Sequence, residues 1–148
     1  WDDFVKLLNH NNSYHRNIGL TITANLVKVD ENHVFDNILE GYLGYIDDEK
    51  FMTAQCCLKN IGKIVKSRKD LRETIIQTLL KVDEICSYTE KQRALLKYDI
   101  LEIMDLIYNE SDVRAKELMN AFIVSCEKSI SNKTKKKAIE LIKKHLCE

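Results

Sequence analysis

The chain has 148 residues, 45% hydrophobic and 31% charged, the proportions of an ordinary soluble globular domain with one sizeable core rather than a disordered segment. Its 23 basic and 23 acidic residues cancel. No apolar run reaches the roughly eighteen residues a membrane span needs, and the opening WDDFVKLLN begins with acids where a signal peptide carries basic residues.

A start at Trp1 is what a fragment or a processed product would show. Proline is absent and glycine occurs four times, so the usual turn and strand punctuation is missing and helix is favoured throughout. Apolar residues recur at helical spacing, and capping residues mark the joints. A short helix over residues 2–9 opens the chain. Ser13 then caps a helix over about 14–28 bearing Ile18, Ile22 and Leu26. Asp30 or Asn32 opens a second near 33–45, with Val34, Ile38, Leu39, Tyr42 and Leu43 on its apolar face. Asp47 precedes a third over 49–66, and Asp70 stands near the start of a fourth running to 86. Thr89, Ser111 and Ser131 precede helices over about 90–108, 112–128 and 132–146. The expected total is about eight helices, joined by connections short enough to make neighbours antiparallel.

The chain also repeats itself. IGLTITANLVK at 18–28 aligns with CCLKNIGKIVK at 56–66, pairing Leu20 with Leu58 and Val27 with Val65; LLKYDILEIMD at 95–105 follows, pairing Ile61 with Ile100 and Ile64 with Ile103. Ile38-Leu39, Ile75-Ile76 and Leu118-Met119 head similar second helices, and KKKAIELIKKHL at 135–146 begins a fourth unit. A two-helix unit recurring at about 38 to 43 residues falls in the range of HEAT and armadillo arrays. DFVKLLNHNNSYHRNIGLTITANL at 3–26 resembles the end of one HEAT unit and the start of the next, with Arg16 and Arg93 at the arginine position common in such helices and Ala54 in that slot of the intervening unit.

The resemblance implies a right-handed α-α superhelix, a HEAT-like solenoid of three to four hairpins forming one domain, with units 13–46, 47–87 and 88–129 between partial units 1–12 and 130–148. It further implies that second helices line a concave face presenting Asn37, Glu40, Thr74, Gln77, Glu117 and Asn120, polar or acidic residues suited to a protein or peptide partner with basic groups. HEAT-like alkylpurine DNA glycosylases use a basic groove on this architecture, so nucleic acid is the alternative partner. The His-Glu pairs of the HEAT-repeat iron hydroxylases are missing here.

Charge is uneven along the chain. Residues 1–50 hold four basic residues against nine acids, whereas residues 128–148 hold seven lysines against two acids, a polarity that suits head-to-tail self-association. Lys59, Lys63, Lys66, Arg68, Lys69 and Arg72 form a candidate anion-binding group, with Lys133, Lys135, Lys136, Lys137, Lys143 and Lys144 as a second. Asp99, Glu102 and Asp105 share a helical face expected to be a solvated outer one.

Five cysteines, an odd number without a C-x-x-C pair, point to reduced thiols in a cytoplasmic setting. Cys56 and Cys57 are neighbours pointing about 100° apart on a helix, unsuited to gripping one ion together, and with Cys86 and Cys126 they are expected to pack as small hydrophobes. Cys147 is the thiol expected to be accessible. His10, His15, His33 and His145 make no metal-binding motif, and neither a glycine-rich phosphate loop nor a G-x-S-x-G elbow occurs. The expectation is a non-catalytic binding module without metal or cofactor.

Overall fold

The structure is a computed structural model describing residues 1–147. Among the described residues there are nine α-helices and no strand: α1 Asp2–Leu8, α2 Ser13–Leu26, α3 Leu39–Leu43, α4 Phe51–Ser67, α5 Arg72–Leu79, α6 Val82–Ile85, α7 Glu90–Ile107, α8 Val113–Ser125 and α9 Asn132–Leu141. None of them is long and apolar enough to cross a membrane. The chain divides into two compact units, Trp1–Ile75 and Ile76 onward, with the boundary inside α5.

Four places differ from expectation. The helix expected over 33–45 is instead a 3-10 turn at Val34–Asn37, the five-residue α3 and a second 3-10 turn at Gly44–Asp47. Asp30 accepts from the backbone N–H groups of both Val34 and Phe35, and His33 is left-handed at φ 54°, a conformation that an α-helix excludes. Gly41 and Gly44 add the poorest helix propensity short of proline. The helix expected from Asp70 to residue 86 breaks at Leu80 and Lys81 into α5 and α6, with no glycine or proline there. Caps shift by one residue as well: Asn12, not Ser13, caps α2 by accepting from Tyr14 N, and Asp112, not Ser111, caps α8 by accepting from Ala115 N. The expected caps at Thr89 and Ser131 are present, the former as a reciprocal capping box with Gln92.

In the first unit α2 and α4 lie side by side. Asn17 O accepts from Cys56 Sγ and Thr21 Oγ1 from Asn60 Nδ2, each pair 39 residues apart. A constant difference along both helices means they run in the same direction. The 14 residues of α2 span about 20 Å, so the chain must return over that length before α4 can begin. The segment containing α3 makes the return and buries Phe35, Leu39, Tyr42 and Ile46. Tyr42 donates its hydroxyl to Leu20 O, satisfying a polar group that is otherwise sealed from water, and its ring meets Phe35 edge-on at 5.5 Å. Helix α1 closes the other side, where Leu7 and Leu8 come so near Gly19 that a Cβ there would lie 2.9 Å from Leu7 Cβ and 3.0 Å from Leu8 N.

The second unit repeats this scheme. Thr134 Oγ1 donates to Ala94 O and His145 Nε2 lies 2.8 Å from Asp105, both pairs 40 residues apart, so α7 and α9 also run in the same direction. Helix α8 is the return element, tied back by Tyr108, whose hydroxyl donates to Asn120 Oδ1 at 2.7 Å. The α7 carboxylate face is therefore not the solvated ridge expected: Asp99 is buried and Asp105 is engaged by His145 and Lys144, leaving Glu102 as its exposed member. His145 stacks on Tyr108 with ring centroids 4.0 Å apart, beyond α9 in a single π-helical turn at Ile142–Leu146.

The glycines give a paired test of this packing. Ala at position 19 gains about 1 kcal/mol of helix propensity but loses about 1–3 kcal/mol to overpacking against α1, so Gly19→Ala is expected to lower the midpoint of urea unfolding. A Cβ added at Gly41 would meet nothing within 4 Å, and the residue lies at negative φ, so Gly41→Ala is expected to raise stability by about 0.5–1 kcal/mol. Equal effects from the two would contradict the α1–α2 approach.

Candidate functional site

Two arginines, each the fourth residue of its helix, hold the turn that precedes them. Arg16 Nη1 donates to His10 O at 3.0 Å and Asn11 O at 2.8 Å, while Nε and Nη2 form a fork on Asp48 at 3.0 and 2.8 Å. Both side chains of the pair are almost wholly buried, 6% and 7% exposed. Asp48 comes from the turn before α4, so one guanidinium joins the α1–α2 turn to the start of α4. The Asp48 hydrogen bonds raise the Arg16 pKa further against the opposing effect of burial.

Arg93 repeats the device in α7 with a different carboxylate. Its Nη1 donates to Tyr88 O at 2.7 Å and its Nε to Asp83 at 3.1 Å; Lys97 Nζ meets the other Asp83 oxygen at 2.7 Å. Burial pushes the Asp83 carboxyl up, but the bonds from Lys97 and Arg93 outweigh it and hold the group below its ordinary value. Asp83 belongs to α6, which precedes α7, not to the turn that follows α8. Beside this pair is a cavity of about 240 Å³ lined by Asp83, Glu90, Arg93, Ala94, Lys97 and residues of the 125–130 turn.

The first basic group separates into two roles. Lys59, Lys63, Lys66 and Lys69 are exposed, and the first three share one face of α4 at helical spacing. Arg68 is buried and donates through Nη2 to Asp36 at 2.8 Å and Asp70 at 2.7 Å, with His33 Nδ1 3.0 Å away. The Asp70 carboxyl is held below its usual value chiefly by its bonds from Arg68. Arg72 donates to Val65 O. His33, Asp36 and Asp70 place three donor atoms within 4.8 Å of one another, but Arg68 Nη2 already sits within bonding distance of an atom from each, supplying the positive charge a metal would bring. Of the C-terminal lysines, Lys133 lies over the Tyr98 ring at 4.1 Å, Lys137 pairs with Glu140 and Lys144 with Asp105, whereas Lys135, Lys136 and Lys143 are exposed.

Among the six residues expected to meet a partner, Asn37, Glu40, Thr74 and Glu117 are exposed and Gln77 is half-buried. Asn120 is half-buried with its amide oxygen taken by Tyr108. Asn37, Glu40 and Thr74 belong to the first unit; Gln77, Glu117 and Asn120 belong to the second. Cys57 is fully buried with its thiol toward Tyr42 O, and burial pushes that thiol well up, the state of an inert packing residue. Cys56 is half-buried between Asn17, Thr21 and Asn60. Cys86 and Cys126 are buried and Cys147 is exposed. The Arg93 cavity was not signalled by any motif: its lining comes from α6, α7 and a turn some thirty residues later, and only the arginine spacing hinted at it.

Two measurements probe these ion pairs. Asp48→Asn removes the buried partner of Arg16 and leaves only the exposed Glu49 carboxylate, 3.5 Å from Nη2, so it is expected to cost about 3 kcal/mol, read as a lower denaturation midpoint; a change below about 1 kcal/mol would remove the clamp from the fold's determinants. For Asp105, burial pushes the carboxyl up, but His145 and Lys144 outweigh it and the net shift is downward. Its stabilisation is therefore complete above the unfolded value of about 3.9 and is lost as pH falls through the lower folded value. Asp105→Asn should flatten the acid limb of a stability profile below about pH 4. Comparison of the chain with protein-family models, curated proteins and solved structures returned no match.

Proposed function

We propose that the chain is a non-catalytic helical-repeat module, HEAT-like in construction, that binds a protein or peptide partner. The observation that carries this reading is the recurrence of two same-direction helices at 39 and 40 residues, each pair led by a fourth-position arginine. Repetition of one packing scheme is the physical basis of arrays that bury their cores between successive units and leave one surface for binding. Five cysteines held as thiols fit a reducing, cytoplasmic setting. In this reading Asn37, Glu40, Thr74, Gln77, Glu117 and Asn120 contact the partner, and the two exposed carboxylates favour a basic segment.

The test is calorimetric titration with a lysine-rich peptide of about fifteen residues. Because Asn120 also anchors Tyr108, the decisive variant is Glu40→Lys combined with Glu117→Lys. At least tenfold weaker binding by the variant is expected; an unchanged affinity would reject these residues as contacts. Exposed Lys59, Lys63 and Lys66 on α4 favour a second reading, binding of nucleic acid. It requires retention on duplex DNA beyond physiological salt, with loss when the three lysines become glutamine. Elution near physiological salt sinks it.

A further inference from the structure

The two arginine clamps differ in the turn that leads into the next long helix, and the difference defines a ligand. In the first unit Asp48 does two things: Oδ2 accepts from Lys50 N, the cap residue of α4, and the carboxylate grips Arg16. In the second unit Ser129 accepts from Ser131 N, the cap residue of α9, through Oγ at 3.1 Å. Asp48 stands three residues before the first residue of α4, and Ser129 three before the first residue of α9. Ser129 thus repeats the local turn of Asp48 without its charge. A hydroxyl has no carboxylate with which to hold an arginine, and the 240 Å³ cavity lies between this turn and Arg93. The turn contributes Ser125, Cys126, Lys128, Ser129 and Ile130 to the lining and no acid. Arg93 Nη2 has no hydrogen-bond partner among the described residues.

We propose that this cavity binds one carboxylate group of a partner polypeptide, held by Arg93 through Nη2 and by Lys97. Arg93, Lys97 and Lys128 against Asp83 and Glu90 leave a single positive charge around the cavity. A singly charged carboxylate balances it, whereas a phosphate dianion would crowd Asp83. With Arg93 Nε on Asp83 and Nη1 on Tyr88 O, Nη2 is the donor left for a charge-assisted bond to the incoming carboxylate. Arg93 and Lys97 are 26% and 22% exposed, so water and salt screen them less than the open lysines of α4. Ile130 offers an apolar wall for the aliphatic stem of the incoming residue. The carboxylate belongs either to an Asp or Glu side chain or to a free C-terminus, chemistry the two share.

The experiment uses amide NMR of the full chain with three tripeptides: acetyl-Ala-Glu-Ala-amide, acetyl-Ala-Ala-Ala with a free C-terminus, and the neutral acetyl-Ala-Ala-Ala-amide. A carboxylate peptide is expected to shift Arg93, Lys97 and the 125–130 turn saturably at millimolar concentration, the tighter of the two identifying the source, while the neutral peptide leaves them unmoved. Ser129→Asp keeps the turn's hydrogen bond and supplies the missing carboxylate internally, so it should weaken the peptide at least tenfold and raise the melting temperature. Arg93→Gln should weaken it by a similar factor. The proposal is overturned if neither carboxylate peptide shifts these residues, if the neutral peptide shifts them equally, if Ser129→Asp binds as the parent does, or if inorganic phosphate binds more tightly than either carboxylate. None of these readouts involves Glu40 or Glu117, so the pocket and the proposed basic-peptide face succeed or fail separately.

Discussion

A buried guanidinium must be neutralised and hydrogen-bonded where it lies, and that requirement organises the first unit. Arg16 can be buried only because two carbonyls of the α1–α2 turn and one carboxylate from the turn before α4 converge on it. The same convergence fixes where α4 begins relative to α2. With the starts of the two helices pinned side by side, same-direction packing at a 39-residue separation follows, and the intervening segment has to run back across about 20 Å. That segment need not be a good helix. It has to cover the distance and bury Phe35, Leu39, Tyr42 and Ile46, which its broken 3-10 and α turns do.

The second unit solves the same problem with its charges redistributed. Its arginine finds a carboxylate on the preceding helix, and the registration of α9 against α7 rests on Thr134 with Ala94 and on His145 with Asp105. Because Asp83 approaches from α6 and serves Lys97 as well, the turn ahead of α9 is released from closing the clamp. A cavity bordered by cations results. In one unit the guanidinium is consumed by structure; in the other part of its hydrogen-bonding capacity faces a cavity. That distinction, not the total number of basic residues, separates the arginines of this chain from its lysines as candidates for recognition.

Long, strongly periodic helices were legible. α2, α4, α7 and α9 lie close to where apolar spacing and capping residues put them, and α2 and α4, aligned in sequence at an offset of 38, pack at a separation of 39 residues. The interrupted segments were not. Residues 33–45 carry a helical apolar pattern, yet Asp30 claims two backbone N–H groups and His33 turns left-handed. The break between α5 and α6 has no local marker in residue type. Arg68 and Lys66 look alike as neighbours in a basic run, but one is buried among carboxylates and the other is exposed.

Local sequence dictates an all-helical chain, the places of its longest helices and the caps of α7 and α9, because propensity, capping and 3.6-residue periodicity act within a few residues. Tertiary structure alone decided which arginine meets which carboxylate, which face of α7 is covered, and which turn leaves a cavity. Those outcomes depend on side chains from different elements, 10 residues apart for Arg93 and Asp83 and 32 for Arg16 and Asp48, arriving at the same point, and a short range of sequence carries no record of that encounter.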